Sequence, residues 1–305
     1  MSEGGKTTNN SVVSLGDLSK PAAMLIEKIS DAIGGVARPW QIRRVARADA
    51  DAATIQAEAQ AKAGLIHAKS RLEISEVERR GLERIVIEQG KNQENIERIS
   101  AKAISHIKDD AKPENIEDDW IRYFFERSKL VSDEDMQQIW ANILAGETNS
   151  PKSFSRKTID LISTLDKDDA NAFTKFCSFV WLFNELTPII IDFQHDIYNK
   201  SGIKFSVLSH LHYLGLINFD PVGFMQKGVP DRFIVHYYGI TVQLTRPEGK
   251  ENFALGKALF TKAGAELAVI SGSQSSEEYL DYAIKEWAPW NATILSFPPA
   301  GDAPA

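Results

Sequence analysis

From residue 41 to residue 112 the chain contains no proline and only three glycines. Alanine, glutamate, glutamine, lysine and arginine dominate this stretch, and all are strong helix formers. Helix is therefore predicted throughout. A single helix of ~70 residues would be ~100 Å long at 1.5 Å per residue. Gly64, Gly81 and Gly90 each weaken it by ~1 kcal/mol and mark candidate bends. The best turn is "EQGKNQEN", residues 88–95, which would fold the stretch into an antiparallel hairpin. Continuous helix and hairpin both stay open.

The first part of that stretch, "ARADADAATIQAEAQAKAG", is so rich in alanine that Ile55 is its only large aliphatic side chain. Val45, Ala48, Ala52, Ile55, Ala59, Ala63 and Ile66 recur in steps of 3 and 4, as in a coiled-coil seam. The opposite face carries Asp49, Gln56, Gln60 and Lys62. Small side chains let helix axes approach closely, but this row is too lean to hold a lone helix in place. Ala48, Ala52, Ile55, Ala59 and Ala63 are therefore candidate contacts with another subunit or with a hairpin partner. A solvated helix of high propensity is the alternative.

Residues 1–13 are polar and read as a disordered tail. Residues 14–40 hold an amphipathic helix and a basic linker. Pro21 fits a first turn, Leu25, Ile26, Ile29 and Ile33 share a face, and Gly34–Gly35 stops the helix. Arg38, Trp40, Arg43, Arg44 and Arg47 then form a candidate patch for anionic lipid or nucleic acid. The same arginines have Asp49, Asp51 and Glu58 as alternative partners.

After residue 112 the pattern shortens. Pro113 ends the long helix, and residues 113–200 read as a helical domain. One helix carries Trp120 and Phe124. The next opens with Ser132 and Asp135 in a capping-box-like arrangement and places Met136, Trp140 and Leu144 on one face. Further helices are predicted from Ser153 to Leu165 and from Asp166 onward. Residues 201–290 mix helix and strand. A helix ends at Gly215 before "LINF", "DRFIVHYYGITVQLTRP" reads as one or two strands, and "NFALGKALF" runs into a helix near Thr261. That order is winged-helix-like. Residues 291–305 read as a flexible tail. The expected fold is mainly α: a long Ala-rich helix or helical hairpin, then a helical domain with a winged-helix-like α+β C-terminal part.

Four motifs in this order carry a family resemblance. The first is Asp133, Glu134, Trp140, Ala141, Leu144 and Ala145; the second is Leu161, Leu165, Asp169 and Ala170. The third is Leu211, Leu214, Gly215, Leu216 and Ile217; the fourth is Phe260, Thr261, Gly264 and Leu267. Together, across residues 118–269, they resemble the central signature of the Abi-alpha family and its bacterial relatives, with Phe260 where leucine is usual. The resemblance implies a role in phage defence or abortive infection. It implies no catalytic residues, because the matched positions are mostly packing positions.

Signals of chemistry are absent from the sequence. There is no phosphate-binding Gly-Lys loop, no dinucleotide-binding glycine turn, and no G-x-S-x-G or H-E-x-x-H. His210 and His212 are two residues apart and point to different sides of a helix; even with His236 and Asp220 they do not make a metal site. The aspartates at 133–135 and 166–169 sit at helix starts, where they cap. No catalytic residue, cofactor or metal is therefore expected. Net charge is −7, which gives no global attraction to nucleic acid. The helix at 203–216 has only Lys204, and Glu248 and Glu251 offset Arg232, Arg246 and Lys250. Cys177 is alone, which excludes an internal disulfide and fits a buried small side chain in a reducing compartment.

With no secretory signal and no apolar run of ~20 residues, a cytoplasmic protein is expected, with peripheral contact at the inner membrane as a variant. The functional expectation is a non-enzymatic, self-assembling structural or interaction protein. A homo-oligomer is the first expected partner, with a separate protein next. A DNA-binding regulator and a peripheral membrane effector are the alternatives.

Overall fold

The computed structural model describes residues 18–34 and 75–296. Within it the chain divides into two units, Met1–Ser153 and Phe154–Ala305.

In the first unit, α1 spans Lys20–Ile33. Its start and stop follow from sequence chemistry. The Ser19 hydroxyl accepts from the Ala22 N–H, Pro21 occupies the first turn, and Gly34 closes the helix in the left-handed conformation. Leu25, Ile26 and Ile29 are buried, facing α3 (Asp118–Ser128) and the short 3-10 turn Pro113–Asn115. Lys28 anchors this contact by donating to the Glu114 carbonyl at 3.0 Å, and Arg122 donates back to the Ala32 carbonyl at 3.1 Å. Between them in sequence lies α2, Glu76–Ile104, which packs along α4, Glu134–Asn149. The α3–α4 core is aromatic: Trp120 stacks on Phe124, which meets Trp140 edge-on at 5.2 Å. Beside it, Asn95 of α2 donates to the Lys129 carbonyl, and Gln137 of α4 donates to Asn95.

The second unit opens with α5 (Arg156–Ile162) and α6 (Lys167–Cys177). Short strands β1 (Val180–Leu182) and β2 (Leu186–Pro188) follow, then α7 (Asp196–Lys200) and α8 (Phe205–Tyr213). Next come β3 (Ile217–Lys227), β4 (Arg232–Tyr237), β5 (Ile240–Thr245) and β6 (Asn252–Phe260). The chain continues with α9 (Lys262–Ala268), α10 (Glu277–Glu286) and β7 (Thr293–Ser296). Five strands form an antiparallel sheet in the order β2-β1-β4-β5-β7, and β3 pairs with β6 in a second, two-stranded sheet. The core here is also aromatic, built from Phe179, Trp181, Tyr198, Tyr237, Phe253, Tyr279 and Trp287.

Three expectations are corrected. The chain is mixed α/β rather than mainly α. Its second unit carries a five-stranded antiparallel sheet that the helical patterning concealed, because β1 and β2 are three residues each and show no readable period. The winged-helix-like arrangement is overturned as well. The β4–β5 hairpin, which would have been the wing, belongs to the larger sheet beside β1 and β7. β3 pairs with β6 instead, despite Pro221 and Gly223 in its middle, because a register shift there lets an edge strand tolerate them.

The long helix or hairpin with a coiled coil is the third correction. α2 runs straight through residues 88–95, where the hairpin turn was expected, and ends nine residues short of Pro113. It begins afresh at Ser75. The Ser75 hydroxyl accepts from the Glu78 N–H, and the Glu78 carboxylate accepts from the Ser75 N–H at 2.7 Å, a full capping box. A smaller shift occurs at α4, whose cap is Asp133 rather than Ser132. Asp166 and Asp169 form the expected cap of α6.

Candidate functional site

α2 has two halves with different surroundings. From Asn92 to Ala103 it contributes buried residues to the α2–α4 contact: Asn92, Asn95, Ile96, Glu97, Ile99, Ser100 and Ala103. From 76 to 91 no residue is buried. Yet the apolar pattern does not stop where the core does. Counting back from Ala103 by threes and fours through Ile99, Ile96, Asn92 and Gln89 reaches Ile85, Gly81 and Val77, with Leu82 and Val86 alongside. One row of positions therefore runs the length of the helix, apolar at Val77, Ile85, Ile96 and Ile99 and polar between them at Gln89 and Asn92, and only its C-terminal half is buried. Val77 is 69% exposed, Ile85 51% and Leu82 41%. At 1.5 Å per residue, the uncovered part is about 24 Å long.

A charged cluster occupies the face opposite the stripe. Arg79 bridges Glu76 and Glu83 on its own helix, and these two carboxylates raise the guanidinium's pKa. The Ser75 N–H holds the Glu78 carboxyl below the usual carboxylate range, with the Ser75 hydroxyl adding to it. Pairs of this kind on an open helix are screened by solvent and contribute little, and they leave the apolar side of the segment uncovered.

The other chemically active groups are committed to the fold. The Tyr279 hydroxyl accepts from Trp181 Nε1 at 3.0 Å and donates to the Ile189 carbonyl at 2.9 Å. Tyr198 donates to the same carbonyl at 3.2 Å and accepts from the Ile191 N–H at 3.0 Å. Tyr237 donates to the Ser178 carbonyl and accepts from the Ser276 N–H. Burial raises all three phenol pKa values. They stay neutral and serve as struts between strands and α10. Cys177 is buried, and burial pushes its thiol up to about 12, far from a reactive thiolate.

The histidines do not converge. His210 Nε2 lies 2.6 Å from Asp169 Oδ1. His212 Nδ1 lies 3.3 Å from the Phe219 N–H, and His236 Nδ1 lies 3.2 Å from Thr241 Oγ1. Among the described residues, no group of three His, Cys, Asp or Glu side chains is placed to hold a metal ion. Arg246, considered for nucleic acid, pairs with Asp231. No helix among the described residues is long and apolar enough to cross a membrane.

The site residues singled out from the sequence lie elsewhere. Arg38, Trp40, Arg43, Arg44 and Arg47, and the row Ala48, Ala52, Ile55, Ala59 and Ala63, all fall outside the described residues. The residues of the exposed stripe, Val77, Gly81, Leu82, Ile85 and Val86, were not singled out. The signal was present: a Ser75-x-x-Glu78 box marks a helix start, and an apolar set at helical spacing follows it.

No curated protein and no solved structure matches the chain, and nothing in the comparisons connects it to the Abi-alpha family. One family model does match, over residues 79–284. That span begins on the exposed half of α2, takes in α3 to α9 with both sheets except β7, and ends within α10. Covering more than half of the chain, it shows that the protein belongs to the family described as Protein of unknown function (DUF2806).

Proposed function

We propose that this is a non-enzymatic interaction protein that self-assembles, and that the N-terminal half of α2 is its docking element. The observation that supports this is the row of apolar residues Val77, Leu82, Ile85 and Val86 on α2, none of which is buried. Full burial of a Val, Leu or Ile side chain contributes roughly 1.5–3 kcal/mol. At Leu82 and Ile85 about half of that gain is still outstanding. A docked helix supplies it, and the charges of Glu76, Arg79 and Glu83 on the opposite face remain in solvent.

The test is the double variant Leu82→Glu, Ile85→Glu. Both positions are exposed, and glutamate is a good helix former, so the fold of each chain should survive with unchanged helix content. Two carboxylates placed in an apolar seam have no partner there and oppose its desolvation. Light scattering should show the assembled mass of the parent chain reduced to that of one chain. A variant that keeps the parent's assembled mass would remove α2 from the account. If assembly is how the chain acts in phage defence, as the Abi-alpha-like motifs imply, the same variant should also lose protection in a plaque assay.

A further inference from the structure

We propose that a ring of side chains joining Ser271, Ser273, Tyr238 and Cys177 is a latch. It holds the connection between α9 and α10 shut against the end of α6. That connection opens as a unit when the ring is broken, baring Cys177 while the sheet stays folded.

The connection has no buried anchor. From Val269 to Glu278 no residue is buried, so hydrogen bonds rather than core packing hold it, and segments of that kind open well below the cost of global unfolding. Near its ends, the Thr174 hydroxyl donates to the Ser271 carbonyl at 3.2 Å, and the Tyr237 hydroxyl accepts from the Ser276 N–H at 2.8 Å.

The ring grips the middle. Tyr238 donates to the Cys177 carbonyl at 3.1 Å. Its one hydroxyl proton is thereby committed, so Ser273 is the donor in the contact between the Ser273 and Tyr238 hydroxyls. Ser271 donates to Ser273 at 3.0 Å. The Ser271 side chain is also hydrogen-bonded to the Cys177 thiol. With the serine proton already used, the S–H is the donor there. The ring therefore begins and ends on Cys177, and each bond in it polarises the next.

Two left-handed residues, one on each segment, make the ring possible. Tyr237 and Ile240 pair across the β4–β5 turn, which leaves Tyr238 and Gly239 at its centre with φ +46° and +82°. Asn-Gly is the favoured pair in a tight turn of this kind, and a bulky side chain at positive φ is an outlier. Along a strand, successive side chains alternate faces. The left-handed turn instead brings Tyr238 to the side of Tyr237, so two adjacent hydroxyls reach the adjacent carbonyls of Cys177 and Ser178. Strain of this sort persists only where surrounding contacts impose it. Here those contacts are the hydroxyl bonds, and breaking them lets the turn relax. On the other segment Gly272, at φ +66°, folds the chain so that Ser271 and Ser273 meet. A Cβ on Gly272 would meet nothing within 4 Å, so the glycine serves the backbone conformation rather than a close contact.

The test reads the rate at which a thiol-reactive dye labels Cys177 in the full chain. Cys177 is the only cysteine and is 1% exposed, so labelling reports opening. Tyr238→Phe keeps the aromatic ring and removes the hydroxyl. Ser273→Ala breaks the same ring of bonds from the other segment. Each variant loses two hydrogen bonds and should label on the order of tenfold faster than the parent. Below the unfolding transition the rate should not change with urea, because a local opening exposes little surface. A variant that labels at the parent's rate overturns the latch. So does an acceleration that rises with urea as steeply as global unfolding, since the hydroxyls would then be ordinary supports of the fold.

Discussion

Trp140→Ala should lower the stability of the first unit by about 3–5 kcal/mol, the usual cost of deleting a buried tryptophan. Trp140 is fully buried on α4, with Phe124 edge-on at 5.2 Å and Trp120 stacked behind it. No neighbouring element replaces that volume. The indole Nε1 is buried without a hydrogen-bond partner, so its removal strands no partner, and the expected loss is packing alone. The same fact sets a control. Trp140→Phe keeps much of the ring contact and relieves the unpaired N–H, so it should cost far less, on the order of 1.5 kcal/mol or below. Urea denaturation of the two variants checks both values. Equal losses for the two would mean that the Nε1 group has a partner that matters.

Gly264→Ala should be nearly as damaging for a different reason. A Cβ on Gly264 would stand 1.9 Å from the Leu216 carbonyl oxygen, and a main-chain atom cannot rotate away. The close approach is built in from both sides. Gly215 takes φ +80° to end α8, and the Thr261 hydroxyl donates to the Gly215 carbonyl at 2.7 Å while accepting from the Gly264 N–H at 3.1 Å. One hydroxyl thus ties the cap of α9 to the turn after α8. Overpacking typically costs about 1–3 kcal/mol, and a clash against main chain belongs at the upper end, about 3 kcal/mol. A thermal melt of the variant measures it. An unchanged midpoint would show that α9 does not rest on Leu216.

These two sites show what could be read from the sequence and what could not. Local chemistry was legible. Pro21 sits in the first turn of α1 and Gly34 closes it, and Asp166 and Asp169 cap α6, as their positions in the sequence led one to expect. The five-stranded sheet was not legible, because a three-residue strand such as Val180–Leu182 exists only through its distant partners, Pro188 on one side and His236 on the other. β3 was hidden by its own Pro221 and Gly223. At α2 the obstacle was excess rather than lack of signal. Strong helix formers lie on both sides of Ser75, so the capping box that starts the helix did not stand out. The exposed stripe then went unnoticed beside the alanine row at 48–63.

Assembly through α2 is the central claim, and the mass of the unmodified chain in solution tests it most directly. Light scattering behind size exclusion, run over a range of concentrations, should give a multiple of 33.9 kDa that falls toward a single chain only on dilution. A mass of one chain at every concentration would contradict that claim.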